Sequence, residues 1–301
     1  MKKIIVKGNT WLGDVIMSFP VFEGLKQKYP ESSIYVLTQR KVSDCYSGIK
    51  GLEVICYDSF ADAVKRVRAI RPDSALILPR SLGSAMMMYL ARVPQRVGYS
   101  YGVRGPLLTA SLPCDRKVRN IHRVRYFYLL FNLFANTNGN PCAPVFEVPE
   151  ESQRKADELL SQYRFSGKGI GINPGATYGR AKQYFEERFV EVAKWLCQMG
   201  YDVILTGSEA ESELCKRIEL AVNNHNPGGK AISIAGQTSI SVLAGVIRRL
   251  NLFITNDTGP MHLADAVGCK VLAIFGSTNP AATRPFREQN VVMYAGVSCS
   301  P

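Results

Sequence analysis

Thr255-Asn256-Asp257-Thr258-Gly259-Pro260-Met261-His262 joins an apolar run, residues 250–255, to a short segment, 262–267, that Gly268 closes. The run predicts a buried strand, and the segment after it predicts a helix. Asp257 or Thr258 suits the N-cap, and Pro260 is tolerated in a first turn. A strand that feeds a helix start presents backbone N–H groups and the positive end of the helix dipole. That end suits a phosphate or a diphosphate. Gly259 admits a ligand close to the backbone. An ordinary capped turn reads the same way taken alone, so the rest of the chain decides.

Outward from this stretch the strand–helix rhythm recurs. In the second half it predicts a helix over 152–163, a strand over Gly169–Asn173 and a loop over 174–183. A helix over 185–199, a strand over 202–206 and a helix over 209–222 follow. Segments 232–235, 240–248, 250–255, 261–267 and 271–275 continue the alternation. In the first half, strands are expected over Lys3–Lys7, 33–37, 53–56 and 75–78, and helices over 15–28, 61–70 and 82–91. Residues 99–125 break the pattern. They begin Gly- and Tyr-rich and end in the densest basic run of the chain, Arg116 to Arg125, followed by a helix to Phe134. Residues 136–149, rich in Asn, Gly and Pro, read as a connection between domains. Alternating strands and helices indicate an α/β fold of parallel βαβ units. Two open sheets joined by a linker leave a cleft, and in such sheets ligands sit at the carboxyl ends of strands.

The 301 residues, 46% hydrophobic and 21% charged, suffice for two globular domains. The formal net charge is +12, and it is uneven. Residues 1–150 hold 21 Lys and Arg against 11 Asp and Glu, whereas residues 151–301 hold 16 against 14. The excess in the first half fits an anionic partner: a phosphorylated or carboxylated substrate, an anionic membrane surface, or nucleic acid. The N-terminal apolar run is broken by Lys7, Gly8 and Asn9, too early for an export signal, and no run reaches the length of a membrane span. Eight scattered Cys form no C-x-x-C pair, and three His argue against a zinc site. The expectation is a reduced, cytoplasmic protein with core cysteines and no metal.

Three loops of the second half follow strands and carry chemistry. Asn173-Pro174-Gly175-Ala176-Thr177-Tyr178-Gly179-Arg180-Ala181-Lys182 combines small residues, a hydroxyl and two cations, the parts of a diphosphate clamp. Gly207-Ser208-Glu209 offers a carboxylate for ribose hydroxyls, or merely a first-turn acid. The third loop is the opening stretch. Together they point to a nucleotide diphosphate. In the first half, Gly8 and Gly13 have P-loop spacing, but Asp14 and Val15 stand where Lys and Ser or Thr are required, so a Walker site is rejected. No G-x-G-x-x-G follows the first strand. Asp14 is either a helix cap or a proton acceptor; a helix N-terminus would lower its pKa and weaken it as a base.

Trp11-Leu12-Gly13-Asp14, the Pro174–Lys182 loop and Asn256–His262 together resemble glycosyltransferase family 9, from the first strand to about Phe286. Two departures stand beside the match: family members often have Pro at Arg180 and Arg-Trp at Gln183-Tyr184. The resemblance implies a GT-B fold of two Rossmann-like domains facing across a cleft. Residues 1–149 would bind the acceptor and 150–301 the ADP-sugar. The family usually continues with a further C-terminal helix, so the second domain is expected to be short at its end. The implied reaction is inverting, metal-free and needs no cofactor. It moves L-glycero-D-manno-heptose from ADP-heptose to the first heptose of the lipopolysaccharide inner core, on heptosyl-Kdo2-lipid A. By position, Asp14 would be the base. Lys182 and Thr177 would hold the diphosphate, Glu209 the ribose and Asp257 the sugar, with Thr258, Gly259 and His262 on the diphosphate side. Arg116, Lys117, Arg119 and Arg123 would meet acceptor carboxylates and phosphates. The protein would sit peripherally on the anionic inner face of the inner membrane and bind no nucleic acid. The alternatives are a family transferase with another acceptor and a non-catalytic module that binds nucleotide or anionic lipid.

Overall fold

The computed structural model describes residues 2–176, 180–224 and 228–296; the side chains of Lys117 and Arg180 lie outside that description. The chain divides into two compact units, Met1–Val145 and Phe146–Pro301.

The first unit runs β1 (Lys3–Lys7), α1 (Leu12–Met17), α2 (Phe19–Lys28), β2 (Ser33–Gln39), β3 (Glu53–Tyr57), α3 (Phe60–Ile70), β4 (Ser74–Ile77), α4 (Leu82–Leu90), β5 (Gln95–Ser100), β6 (Ala110–Pro113), α5 (Arg116–Asn120) and α6 (Arg123–Ala135). Its six strands are parallel in the order β3-β2-β1-β4-β5-β6. The central strands are buried runs of Ile, Val, Leu and Ala, as a sheet covered on both faces requires. Helices α3 and α4 bury Val64, Val67, Ala85 and Met88 against Ile5, Leu37, Ala75 and Ile77.

The second unit runs α7 (Glu150–Gln162), β7 (Gly169–Asn173), α8 (Glu186–Gln198), β8 (Asp202–Leu205), α9 (Ser212–Asn223), β9 (Ala231–Ser233), α10 (Ile240–Arg248), β10 (Leu252–Asn256), α11 (Gly259–Ala266), β11 (Val271–Phe275), α12 (Pro280–Thr283) and β12 (Val291–Tyr294). Its sheet is again parallel, in the order β12-β11-β10-β7-β8-β9. Phe189, Ala193, Cys215, Ile218 and Val222 pack from α8 and α9 onto Ile172, Val203 and Leu205.

Both sheets are doubly wound. Strand order reverses between β1 and β4 in the first unit and between β7 and β10 in the second. At such a switch point the loops leaving two adjacent strands diverge, and the crevice at their carboxyl ends is where ligands bind.

Three differences from the sequence reading have local causes. The single helix expected over 15–28 is two, parted at Ser18, whose Oγ donates to the Val15 carbonyl at 2.7 Å ahead of Pro20. Residues 99–125 do not simply interrupt the pattern: β5 and β6 extend the sheet there. Gly98 inside β5 and Pro113 at the end of an edge strand hide their signal. β12, with only one half-buried residue among exposed neighbours, carries little pattern either. Among the described residues no helix is long and apolar enough to cross a membrane.

Candidate active site

Each switch point gathers a cluster of polar side chains, built from the residues that leave the paired strands.

In the second unit, β7 and β10 end in Asn173 and Asn256, both buried. Asn256 Nδ2 donates to the carbonyls of Pro174 (2.9 Å) and Gly175 (3.2 Å), and its Oδ1 accepts the Tyr184 N–H at 3.1 Å. Asn173 accepts from Thr206 Oγ1 at 3.2 Å. The Asn256 amide thus ties Pro174, Gly175 and Tyr184 to the end of β10. Lys182 Nζ then reaches Asp257 Oδ2 at 2.8 Å, and the same oxygen accepts Thr278 Oγ1 at 2.7 Å. Thr258 is the N-cap of α11 with extended backbone, but its side chain gives no capping bond; its hydroxyl meets Thr255 Oγ1 at 3.2 Å instead. The helix start therefore offers its first-turn N–H groups forward, with a lysine beside it, which suits a bound phosphate. Gly259 is the first residue of that turn, and His262 is buried in the next.

The remaining donor-side residues are placed as follows. Thr177 lies outside the described residues. Glu209 opens a short exposed 3-10 turn, Glu209–Glu211, and a Cβ on Gly236 would collide with its carboxylate. Glu211 closes a capping box with Ser208, taking its N–H at 2.7 Å. A Cβ on Gly175 would collide with the Glu211 carboxylate, so the glycine leaves that carboxylate room against the loop. The sequence reading passed over Thr278 and Glu211. Thr278 follows a strand just as Thr177 and Thr258 do, and that position was its signal.

In the first unit, Lys7, Asn9, Trp11, Asp14, Arg80 and Arg123 line one cavity of about 500 Å³. β1 supplies Lys7, α1 supplies Asp14 in its first turn, the loop after β4 supplies Arg80, and the start of α6 supplies Arg123. Asn9 Nδ2 braces the turn by donating to the Asp14 carbonyl at 3.2 Å. Burial pushes the Asp14 carboxyl above the usual carboxylate range, with Arg123 and Arg80 pulling it back down. This corrects the expectation of a lowered pKa. Helix α1 is only six residues long, so its dipole is small, and desolvation dominates. A carboxyl raised toward neutrality is a better proton acceptor.

Lys7 is 2% exposed and donates to the Gly8 carbonyl at 2.8 Å, with its ammonium 5.2 Å from the Tyr57 ring centre. Burial pulls its pKa down to about 8. Of the four basic residues expected to meet the acceptor, Arg123 lines this cavity. Arg116 and Arg119 lie exposed on α5, which Asp115 caps through the Val118 N–H at 2.8 Å, and do not line it. Lys117 is on the same helix, its side chain undescribed. The sequence reading missed Lys7 and Arg80, both single cations at the ends of the strands flanking the reversal. Among the described residues no cluster of His, Cys, Asp and Glu could hold a metal.

Comparison with known proteins identifies the family. Residues 61–301 match glycosyltransferase family 9 (heptosyltransferase). Lipopolysaccharide heptosyltransferase 2 of Salmonella typhimurium is 28% identical over 297 residues, 94% of this chain and 85% of the relative. The structure of E. coli ADP-heptose lipopolysaccharide heptosyltransferase II superposes with a TM-score of 0.84 at 26% identity, covering 97% of this chain and 90% of that one. A family 9 transferase from Veillonella parvula shares the fold with a TM-score of 0.89 at 24% identity, over 99% of this chain and 88% of that one. The fold is GT-B-like, two Rossmann-like domains, and this chain belongs to glycosyltransferase family 9.

Proposed function

We propose that this glycosyltransferase transfers L-glycero-D-manno-heptose, with inversion, from ADP-heptose to the first heptose of the lipopolysaccharide inner core. The second unit would hold the donor and the first the acceptor. The observation that carries this reading is the pair of switch-point sites. One has a lysine and a helix start without a side-chain cap, suited to a diphosphate. The other has a half-buried carboxyl of raised pKa in a cavity it shares with cations, suited to an anionic acceptor that must lose a proton. The relatives' names, heptosyltransferase 2 and ADP-heptose heptosyltransferase, supply the sugar.

In the reaction the C1–O bond to the ADP phosphate breaks as the acceptor hydroxyl attacks from the opposite face. Lys182 leaves Asp257 for the diphosphate and, with the N–H groups at Thr258–Gly259, stabilises the charge that develops on departing ADP. Asp257, released, turns to a sugar hydroxyl. Glu209 takes the ribose, Thr177 and His262 complete the diphosphate side, and Asp14 receives the acceptor proton. Arg123 holds an acceptor anion beside Asp14, while Arg116, Lys117 and Arg119 rest on the anionic inner face of the membrane that carries the acceptor.

The test is the mass of the product. Incubation with ADP-heptose should add one heptose to heptosyl-Kdo2-lipid A and none to Kdo2-lipid A. Addition to Kdo2-lipid A instead would assign the chain to the first-heptose step, and addition to neither would overturn the acceptor reading.

A further inference from the structure

Arg104 lies between β5 and β6, fully buried. Its Nη1 donates to the Pro79 carbonyl at 2.5 Å, while Nε and Nη2 have no hydrogen-bond partner among the described residues. Room for the guanidinium comes from Gly98: a Cβ there would lie 3.0 Å from Nη2. Burying a guanidinium without a carboxylate opposes folding, and an apolar side chain of similar size would be easier to accommodate. The single bond that Arg104 makes therefore calls for a reason beyond packing.

The Pro79 carbonyl belongs to the peptide that leads into Arg80. Three residues before Arg104, the half-exposed Tyr101 sets its ring centre 5.4 Å from the Arg80 guanidinium carbon. Residues 101–104, within the Gly- and Tyr-rich stretch 99–105, thus grip Arg80 at both ends: its peptide through Arg104, its guanidinium through Tyr101. Arg80 lines the cavity that contains Asp14.

We propose that Tyr101 and Arg104 are positioning residues that hold the Arg80 guanidinium where its positive charge bears on the Asp14 carboxyl. The proposal extends the reading of Asp14 as the base. The charged and titratable groups that share the cavity with this carboxyl are Lys7 from β1, Tyr57 from β3, Arg80 from the loop after β4, and Arg123 and Tyr126 from α6. Arg80 and Arg123 are the two whose charge counters the effect of burial on Asp14. Slackening the grip on Arg80 weakens one of them and lets the carboxyl hold its proton to higher pH.

The experiment follows the Asp14 carboxyl by ¹³C NMR titration in the full chain, its signal assigned by its loss in Asp14→Asn, alongside the pH profile of ADP release. In Arg80→Met the midpoint should rise by roughly one unit. Arg104→Met and Tyr101→Leu should raise it in the same direction, adding nothing to Arg80→Met when combined with it, and Arg104→Lys should restore part of the shift. The acid limb of the rate profile should move with the midpoint. If Arg104→Met fails to fold, Tyr101→Leu, at the surface, carries the test. An unchanged midpoint in a folded Tyr101→Leu or Arg104→Met overturns the proposal, whatever happens to the rate. A shifted midpoint together with full turnover in Asp14→Asn would leave the positioning intact and refute only the role of Asp14 as base.

Discussion

Lys182 Nζ stands 2.8 Å from Asp257 Oδ2, joining the loop that leaves β7 to the loop that leaves β10 at the reversal of the second sheet. Asp257 is 7% exposed, so the ion pair is largely out of water, where geometry matters more than at a surface. On the proposed reading, a bound diphosphate competes with Asp257 for this lysine.

Lys182→Met should therefore lower kcat by roughly 10²–10³-fold, the cost of removing a preorganised group that faces developing charge. Single-turnover rates set against donor affinity from calorimetry separate the effects. A variant that binds donor tenfold more weakly yet turns over normally would place the lysine in ground-state binding only.

Asp14→Asn should lower kcat by roughly 10²–10⁴-fold and leave ADP-heptose affinity unchanged. It should also stabilise the fold at pH 7. The native carboxyl has a raised pKa, so between the ordinary value of 3.8 and the native one the folded chain binds more protons than the unfolded chain. Stability then falls as pH rises through that window and stays low above it. Thermal unfolding should show the Asp14→Asn variant ahead of the parent at pH 7 and level with it below the window. A variant less stable at pH 7 contradicts the burial argument.

Lys7 makes the opposite test. Its pKa is lowered from 10.5 to about 8, so between those values the unfolded chain binds more protons and stability rises with pH. Below pH 8 the full cost of the buried ammonium remains, up to about 3 kcal/mol for a shift of this size. Lys7→Met should recover part of it at pH 7 by urea unfolding, with the gain shrinking above pH 8. Acceptor KM should rise in the same variant, because the cavity loses a cation. Equal stability across pH 7–10 would argue that Lys7 titrates normally.

The basic residues should divide in two. Arg123→Ala, in the cavity, should lower kcat/KM for a soluble, lipid-free acceptor. Arg116→Ala with Arg119→Ala should leave that value alone and weaken binding to anionic vesicles, with a shallower salt dependence. Sedimentation with vesicles of defined charge reads the second effect, and the reverse assignment would exchange the roles of α5 and the start of α6.

Much of this was legible in the sequence, for identifiable reasons. Gly259 and Pro260 after an apolar run, and Lys182 in a loop of small residues, carry a local signature because strand end, glycine and helix start are adjacent in the chain. Asp14 was legible for the same reason, although the sign of its pKa shift was not: burial depends on what α6 and the β4 loop place over it. Lys7, Arg80 and Thr278 were not legible because each is one residue whose meaning comes from sheet order, and strand order is set by packing across the whole unit. β5 was obscured by Gly98, which makes room for Arg104, a contact between residues that no period in the sequence connects, and β6 by Pro113.

The most direct measurement is release of ADP from ADP-heptose with and without heptosyl-Kdo2-lipid A, in the parent and in Asp14→Asn. The account predicts release that requires the acceptor in the parent and is lost in the variant. Release at the same rate without acceptor, or undiminished in Asp14→Asn, would contradict it.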